Sequence, residues 1–289
     1  MTAPRTVGVL GGGRMGAGIA HAFLLAGSDV VVVERDCEAA DAAAHRVRES
    51  LARSLERAGS DGIGGRTIDE FASAFSTATD PAAFMDADLV IEAVPEDRAL
   101  KAEALARAER AMPAASALAT NTSSISIDDL ALGLQRPERF LGLHFFNPVP
   151  ASALVEVVRG AATPDDLVDT ARGWVDAIGK TAVVVRDSPG FASSRLGVAL
   201  GLEAIRMLEE GVASAEAIDA AMTLGYRHPV GPLRTTDLVG LDVRLGIAEE
   251  LAARLGERFE PPALLRRMVA EGRLGRKSGA GFYEWPESS

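Results

Sequence analysis

Strand-like and helix-like segments alternate along this chain from Arg5 to about Arg186, and then the alternation stops. Short aliphatic and β-branched runs stand at 6–10, 29–34, 89–94, 117–120, 140–144, 154–158 and 181–186. Amphipathic stretches at 14–26, 38–58, 99–111 and 164–178 lie between many of them. Such alternation commits a chain to a mainly parallel sheet, because parallel strands need crossover connections and the crossover helices cover the sheet. After Asp187-Ser188-Pro189-Gly190 only helical patterns follow, such as 196–208 and 215–222, punctuated by Gly211, Gly225, Pro229, Gly231 and Pro232. The expected fold is therefore α/β, with a Rossmann-type doubly wound sheet over residues 1–186. A smaller all-helical domain is expected over 187–289. The Gly-rich stretch 59–66 reads as the tip of a helical hairpin.

The first strand-to-helix turn carries Gly11-Gly12-Gly13-Arg14-Met15-Gly16, a G-x-G-x-x-G pattern in the place where it has a mechanism. Gly11 permits the tight turn, Gly13 lets backbone approach a pyrophosphate, and Gly16 lets helix and strand pack closely. The helix N-terminus offers free N–H groups and a partial positive charge to phosphates. A Gly-rich turn alone is weak, but the second strand ends in Glu34, an acid 21 residues after Gly13. That acid suits a ribose 2′-hydroxyl and repels a 2′-phosphate, so the pattern points to NAD rather than NADP. Arg35 is the neighbour that argues the other way, since a guanidinium can pair with that phosphate.

Composition narrows the partners. A net charge of −11 argues against nucleic acid. No apolar run approaches the roughly 20 residues a membrane span needs. The first strand-like run begins at Thr6, so no targeting peptide is expected, and Cys37 is the single cysteine. No disulfide, no metal and a reducing cytoplasm are the expectations.

Leu141-Gly142-Leu143-His144-Phe145-Phe146-Asn147-Pro148 sets a histidine where a strand ends, the region where ligands gather in open α/β sheets. Of the other histidines, His21 reads as packing on the first helix, His45 as an exposed helical position and His228 as a turn residue. Twelve residues after His144, Glu156 sits inside the apolar run Leu154-Val155-Glu156-Val157-Val158. A carboxylate there needs a partner, and an imidazole is a fitting one, because the carboxylate fixes its tautomer and raises its basicity.

With these motifs together, the chain resembles the L-3-hydroxyacyl-CoA dehydrogenase family from about residue 5 to 285. The resemblance is carried by the turn from Gly11 to Gly18, Ile91-Glu92-Ala93-Val94-Pro95-Glu96, Asn121-Thr122-Ser123-Ser124, the segment from His144 to Pro150, and Lys277-Ser278-Gly279-Ala280-Gly281-Phe282-Tyr283. It implies reversible oxidation of an (S)-3-hydroxyacyl-CoA to the 3-oxoacyl-CoA with NAD. It implies that His144 takes the proton of the 3-hydroxyl, that Glu156 supports the imidazolium, and that Ser123 bonds the reacting oxygen beside the nicotinamide. Glu96, Lys101, Asn147 and Lys277 match positions that contact the cofactor, together with Gly11, Gly12, Gly13, Arg14, Met15, Gly16 and Glu34. Glu96 and Lys101 could instead be solvated helix-entry charges, Lys277 a tail lysine, and Ser123 a turn cap, with Ser126 and Asp129 forming a capping box for the next helix. The resemblance also implies short substrates such as 3-hydroxybutyryl-CoA or 3-hydroxyadipyl-CoA, and a homodimer formed through the helical domain.

Arg46, Ser50, Arg53 and Arg57 follow one another at spacings of four, three and four, hence on one helix face, with Val47, Leu51, Leu55 and Ala58 as a neighbouring apolar stripe. Guanidiniums in a row on an acidic protein suit a phosphate-bearing ligand such as coenzyme A. Ser50 and Arg57 also match a family serine and lysine that hold the CoA nucleotide. Glu49 and Glu56 could equally make this a solvated face of local pairs.

Two positions depart from the family pattern. Ser194 replaces the asparagine that touches the substrate oxygen, and a serine can still donate one hydrogen bond. Ala153 stands where many members carry a lysine, which opens chain length and carrier preference to question. The alternatives are a relative acting on a carrier-bound 3-hydroxyacyl group or a free hydroxy acid such as L-gulonate, and a non-catalytic NAD-binding protein. Erosion of the histidine–glutamate pair would mark the last, and here the pair is intact.

Overall fold

A computed structural model describes residues 2–58, 63 and 66–286. The chain divides into two compact units, Met1–Asp187 and Ser188–Ser289. In the first unit the elements run β1 (Thr6–Leu10), α1 (Arg14–Leu25), β2 (Asp29–Val33), α2 (Cys37–Ala58), α3 (Ile68–Ser73) and β3 (Phe75–Ala78). There follow β4 (Leu89–Glu92), α4 (Arg98–Ala111), β5 (Ala117–Thr120), α5 (Ile127–Ala131), β6 (Phe140–Phe145), β7 (Leu154–Arg159), α6 (Asp165–Ala177) and β8 (Thr181–Arg186).

The eight strands form one sheet in the order β3-β2-β1-β4-β5-β6-β7-β8. Every neighbouring pair is parallel except β6 and β7. Central strands covered on both faces must be apolar throughout, and β4 and β5 are buried at every residue. The main core gathers Val7, Val9, Ile19, Phe23, Val32, Ile91, Leu143 and Val157. β3 is absent from the strand-like runs of the sequence. Phe75-Ser76-Thr77-Ala78 buries only Phe75, and its strand state comes from pairing with Val30–Val33 of β2 rather than from its own composition. Of the stretch 59–66, read as a hairpin tip, only Ile63 and Arg66 lie within the described residues, where they form a bridge.

The strand order reverses between β1 and β4, which makes their carboxyl ends the switch point where an open α/β sheet leaves a crevice. The Gly-rich turn sits there: Gly11 has φ +96°, and a Cβ on it would come within 2.9 Å of Ala93 O, just after β4.

The second unit holds α7 (Ser193–Glu209), α8 (Ala215–Gly225), α9 (Pro232–Val239), α10 (Leu241–Leu255) and α11 (Ala263–Ala270). Its core contains Val198, Leu202, Ile205, Leu233, Leu241, Leu251 and Leu265. Among its described residues β pairing is limited to isolated bridges at Gly275, Ala280 and Glu284. Buried Asp237 organises the C-terminal motif: its carboxylate accepts from the backbone N–H of Phe282 and Tyr283 and from the Trp285 indole, at 2.8–2.9 Å. Asp219 does the same for the start of α9, accepting from Leu233 N, Arg234 N and the Tyr283 hydroxyl. No described helix is long and apolar enough to cross a membrane.

Candidate active site

The nucleotide end is built by backbone. α1 begins after Gly13 without a side-chain cap, so its first N–H groups keep no side-chain partner. A Cβ on Gly13 would meet nothing within 4 Å, whereas one on Gly16 would lie 1.8 Å from Gly11 O. The two glycines thus have different reasons: one leaves open space before the helix, the other lets the turn close. Glu34 reaches back from the end of β2, and its Oε1 accepts the Gly12 N–H at 2.6 Å. Turn, free helix end and acid fit a dinucleotide. Arg35 points into an ion pair with Asp36, 83% exposed, and not toward the glycines.

The polar centre is a line of three side chains. His144 Nδ1 lies 2.8 Å from Glu156 Oε2, and His144 Nε2 lies 3.1 Å from Ser123 Oγ. The antiparallel register sets His144 of β6 directly opposite Glu156 of β7, so the pair follows from strand pairing. His144 is 4% and Glu156 1% exposed. With the carboxylate accepting from Nδ1–H, the Nε2 lone pair faces Ser123. The Phe146 ring packs 4.5 Å from the imidazole at 52°.

Ser123 is held by Glu96. Glu96 Oε1 accepts from Thr122 Oγ1 (2.6 Å), Ser123 N (2.9 Å), Ser124 N (3.0 Å) and Ser124 Oγ (3.0 Å). Burial alone would raise its pKa, but the Lys101 charge and these hydrogen bonds hold it below the usual carboxylate range. Asn121 Oδ1 accepts from Phe145 N at 2.8 Å and fastens the same turn to the end of β6. Ser126 caps α5 by accepting from Asp129 N, and its hydroxyl donates to Asp187.

Lys101 is not a solvated charge. It is 1% exposed, with its ammonium 2.8 Å from Glu92 Oε1, 3.1 Å from Val94 O and 3.3 Å from Glu96 Oε2. Glu92, in the fully buried β4, also accepts from Thr120 Oγ1 at 2.6 Å. Burial pushes the Glu92 pKa up, against the pull of Lys101. Lys101 therefore supports Glu96 from inside the fold, and Glu96 in turn holds Ser123. Glu92, Thr120, Asn121 and Thr122 were not singled out as site residues from sequence; a carboxylate inside the strand Leu89-Val90-Ile91-Glu92 was the signal.

The face of α2 exists, but its arginines are not equivalent. Arg46 donates to Gly12 O at 3.2 Å and so braces the glycine turn. Arg53 pairs with Glu49, four residues earlier. Arg57 donates to Ser54 Oγ at 3.1 Å, and that oxygen lies 2.9 Å from Nε2 of buried His21. Arg14, Arg46, Ser50 and Arg53 line a groove that ends at Asn147, Pro148 and Val149, the loop following His144. Lys180 donates to Val149 O and Ser152 O of that loop, beside Ala153. In the second unit Ser194 lies in the first turn of α7, and Lys277 Nζ pairs with Asp242 at 2.6 Å rather than trailing as a tail charge.

Residues 6–188 match the model of the 3-hydroxyacyl-CoA dehydrogenase NAD-binding domain, and residues 190–285 match that of the family's C-terminal domain. A probable 3-hydroxybutyryl-CoA dehydrogenase of Bacillus subtilis is 42% identical over 285 residues, covering 97% of each chain. A 3-hydroxybutyryl-CoA dehydrogenase of Mycobacterium tuberculosis is 43% identical, covering 96% of this chain and 98% of its own. The crystal structure of (S)-3-hydroxybutyryl-CoA dehydrogenase from Ralstonia eutropha superposes with a TM-score of 0.91 at 38% identity, covering 99% of this chain and all of that one.

Proposed function

The chain belongs to the 3-hydroxyacyl-CoA dehydrogenase family, and we propose that it reversibly oxidises short (S)-3-hydroxyacyl-CoA thioesters, with His144 as the general base. The observation that carries this reading is the Ser123–His144–Glu156 line, held in one unit with a dinucleotide turn.

When bound, NAD supplies the hydride acceptor. The residues of the chain do the rest. Gly13 and the free end of α1 hold the pyrophosphate, and Glu34 the ribose. Ser123 orients the 3-oxygen, and His144 Nε2 takes its proton. Glu156 stabilises the resulting imidazolium through Nδ1–H. Glu96, backed by Lys101, keeps Ser123 in place. The same Ser–His–Glu order occurs in hydrolytic triads, but the Ser123 and Ser124 amides are committed to Glu96, which removes them as donors to a tetrahedral oxyanion.

The relatives named 3-hydroxybutyryl-CoA dehydrogenase support a four-carbon substrate. The groove between α2 and the Asn147–Val149 loop, lined by Arg14, Arg46 and Arg53, supports CoA over a free hydroxy acid. A cytoplasmic homodimer assembled through the helical unit belongs to the same reading. Leu196, Leu224 and Tyr226 of that unit are 71–83% exposed, as an interface would require, and light scattering checks it. The direct test is NADH oxidation with acetoacetyl-CoA, its carrier-protein thioester and free 3-oxo acids. Turnover of acetoacetyl-CoA far above the others is expected. A preference for the carrier-bound or free acid would overturn the proposal.

A further inference from the structure

Lys180 joins α6 to β8, just after Gly179 has turned the chain with φ +72°. Its half-buried side chain runs to the loop between β6 and β7, where Nζ lies 2.6 Å from Val149 O and 2.5 Å from Ser152 O. One cation thus gathers two carbonyls three residues apart. Among the described residues no carboxylate offsets it, and burial alone shifts its pKa, downward. A lysine gives up hydration at such a place, so its bonds to the two carbonyls must be firm ones, as charge-assisted hydrogen bonds are.

What the cation fastens is a loop with few other ties. Ala151 N and Ser152 N both donate to Pro148 O at 3.0 Å, which closes a turn without fixing it to its surroundings. Val149 packs into the notch at Gly18 of α1, where a Cβ would lie 2.8 Å from Val149 Cβ. The strands on either side are held independently. Phe145 N donates to Asn121 Oδ1, Thr181 N donates to Ala153 O, and the β6–β7 ladder sets His144 opposite Glu156. Loss of the Lys180 contacts would therefore free the backbone from Val149 to Ser152 and leave the His144–Glu156 pair in place.

That backbone is part of a binding surface. Asn147, Pro148, Val149 and Pro150 form one wall of the groove that Arg46, Ser50 and Arg53 line from α2. Lys180 stands behind this wall, and its charge acts on His21 of α1 together with those of Arg57 and Arg53. A wall fixed in advance spares the ligand the cost of ordering it.

We infer that Lys180 is a positioning residue for acyl-CoA: by pinning the carbonyls of Val149 and Ser152 it holds one wall of the CoA groove in its binding shape. This inference rests on the functional reading above, which places CoA in that groove.

The test measures NADH oxidation by wild type and Lys180→Met with acetoacetyl-CoA and with acetoacetyl-pantetheine, which lacks the nucleotide. In the variant the KM for acetoacetyl-CoA should rise by about tenfold, the scale of the loop ordering that binding must then supply. The kcat should stay within about twofold, and the KM for the truncated substrate should barely move, because both depend on the line at His144. Hydrogen exchange gives a second readout: the amides of Ala151 and Ser152 should exchange faster in Lys180→Met, while those of β6 and β7 keep their protection. Lys180→Arg, which keeps the charge, should show the same split in weaker form, and it carries the test if the methionine variant does not fold. An unchanged KM for acetoacetyl-CoA overturns the inference. So does a loss shared equally by the two substrates, or faster exchange throughout the sheet, either of which would make Lys180 a residue of general stability. Wild type that does not distinguish the two substrates in KM would strike the placing of CoA in the groove, a distinct result that needs no variant.

Discussion

His144 and Glu156 stand directly opposite each other across the single antiparallel pairing of the sheet, with Nδ1 and Oε2 2.8 Å apart. If the pair acts as one unit, His144→Gln should lower kcat by roughly two to four orders of magnitude while NADH still binds. Glu156→Gln should also lower kcat strongly, and the double variant should lose much less than the product of the two effects. Near-normal turnover in folded, NADH-binding His144→Gln would remove this mechanism.

Glu34 sets the cofactor prediction. Its carboxylate already accepts from Gly12 N, which fixes its charge beside the glycine turn. NADH should be preferred over NADPH by at least about tenfold. Arg35 is turned into its pair with Asp36, so it offers a 2′-phosphate little. Equal kcat/KM with NADPH would show that the arginine, and not the acid, governs the site.

Arg57 leans on Ser54, and Ser54 on His21. Arg57→Ala should raise KM for acyl-CoA and leave kcat largely alone, because a contact to the CoA nucleotide is the same in ground and transition states. A pantetheine-truncated substrate should not notice the change. Equal losses on both substrates would mean that the arginine works through structure.

His21 predicts an acid limit. It is 2% exposed, and burial, followed by the charges of Arg57, Lys180 and Arg53, lowers its pKa from 6.5 to about 4. Between those values the unfolded chain binds a proton that the folded ring refuses. The contribution to stability is therefore complete above about pH 6.5 and is lost as the pH falls toward about 4, by roughly 3 kcal/mol in all. Urea midpoints should fall across this window, and His21→Gln should flatten the slope. Parallel pH profiles for the two proteins would refute the assignment.

Much of the fold was legible because its signals are local. Val30-Val31-Val32-Val33 can be little but a buried strand, and the G-x-G-x-x-G turn carries its own steric reason at Gly11 and Gly16. β3 was not legible, since Phe75–Ala78 has no apolar run and becomes a strand only by lying beside β2. In the site, the need of Glu156 for a partner was legible from its apolar surroundings, and His144 was the matching base.

By itself, then, the sequence determined which residues had to be buried, which turn could hold a pyrophosphate and which base stood at a strand end. Those depend on side-chain chemistry and on neighbours a few residues away. The tertiary structure alone decided what the charges do. Lys101 matched a cofactor-contacting position, with a helix-entry charge as the alternative, and is enclosed by Glu92 and Glu96. Arg46, one of a row of guanidiniums along α2, also braces Gly12 O, while Asp237 fastens a motif 45 residues away. The physical reason is range: a hydrophobic pattern repeats every two or 3.6 residues, whereas a charge is satisfied by whatever donor or acceptor the fold brings within about 3 Å, at any distance along the chain.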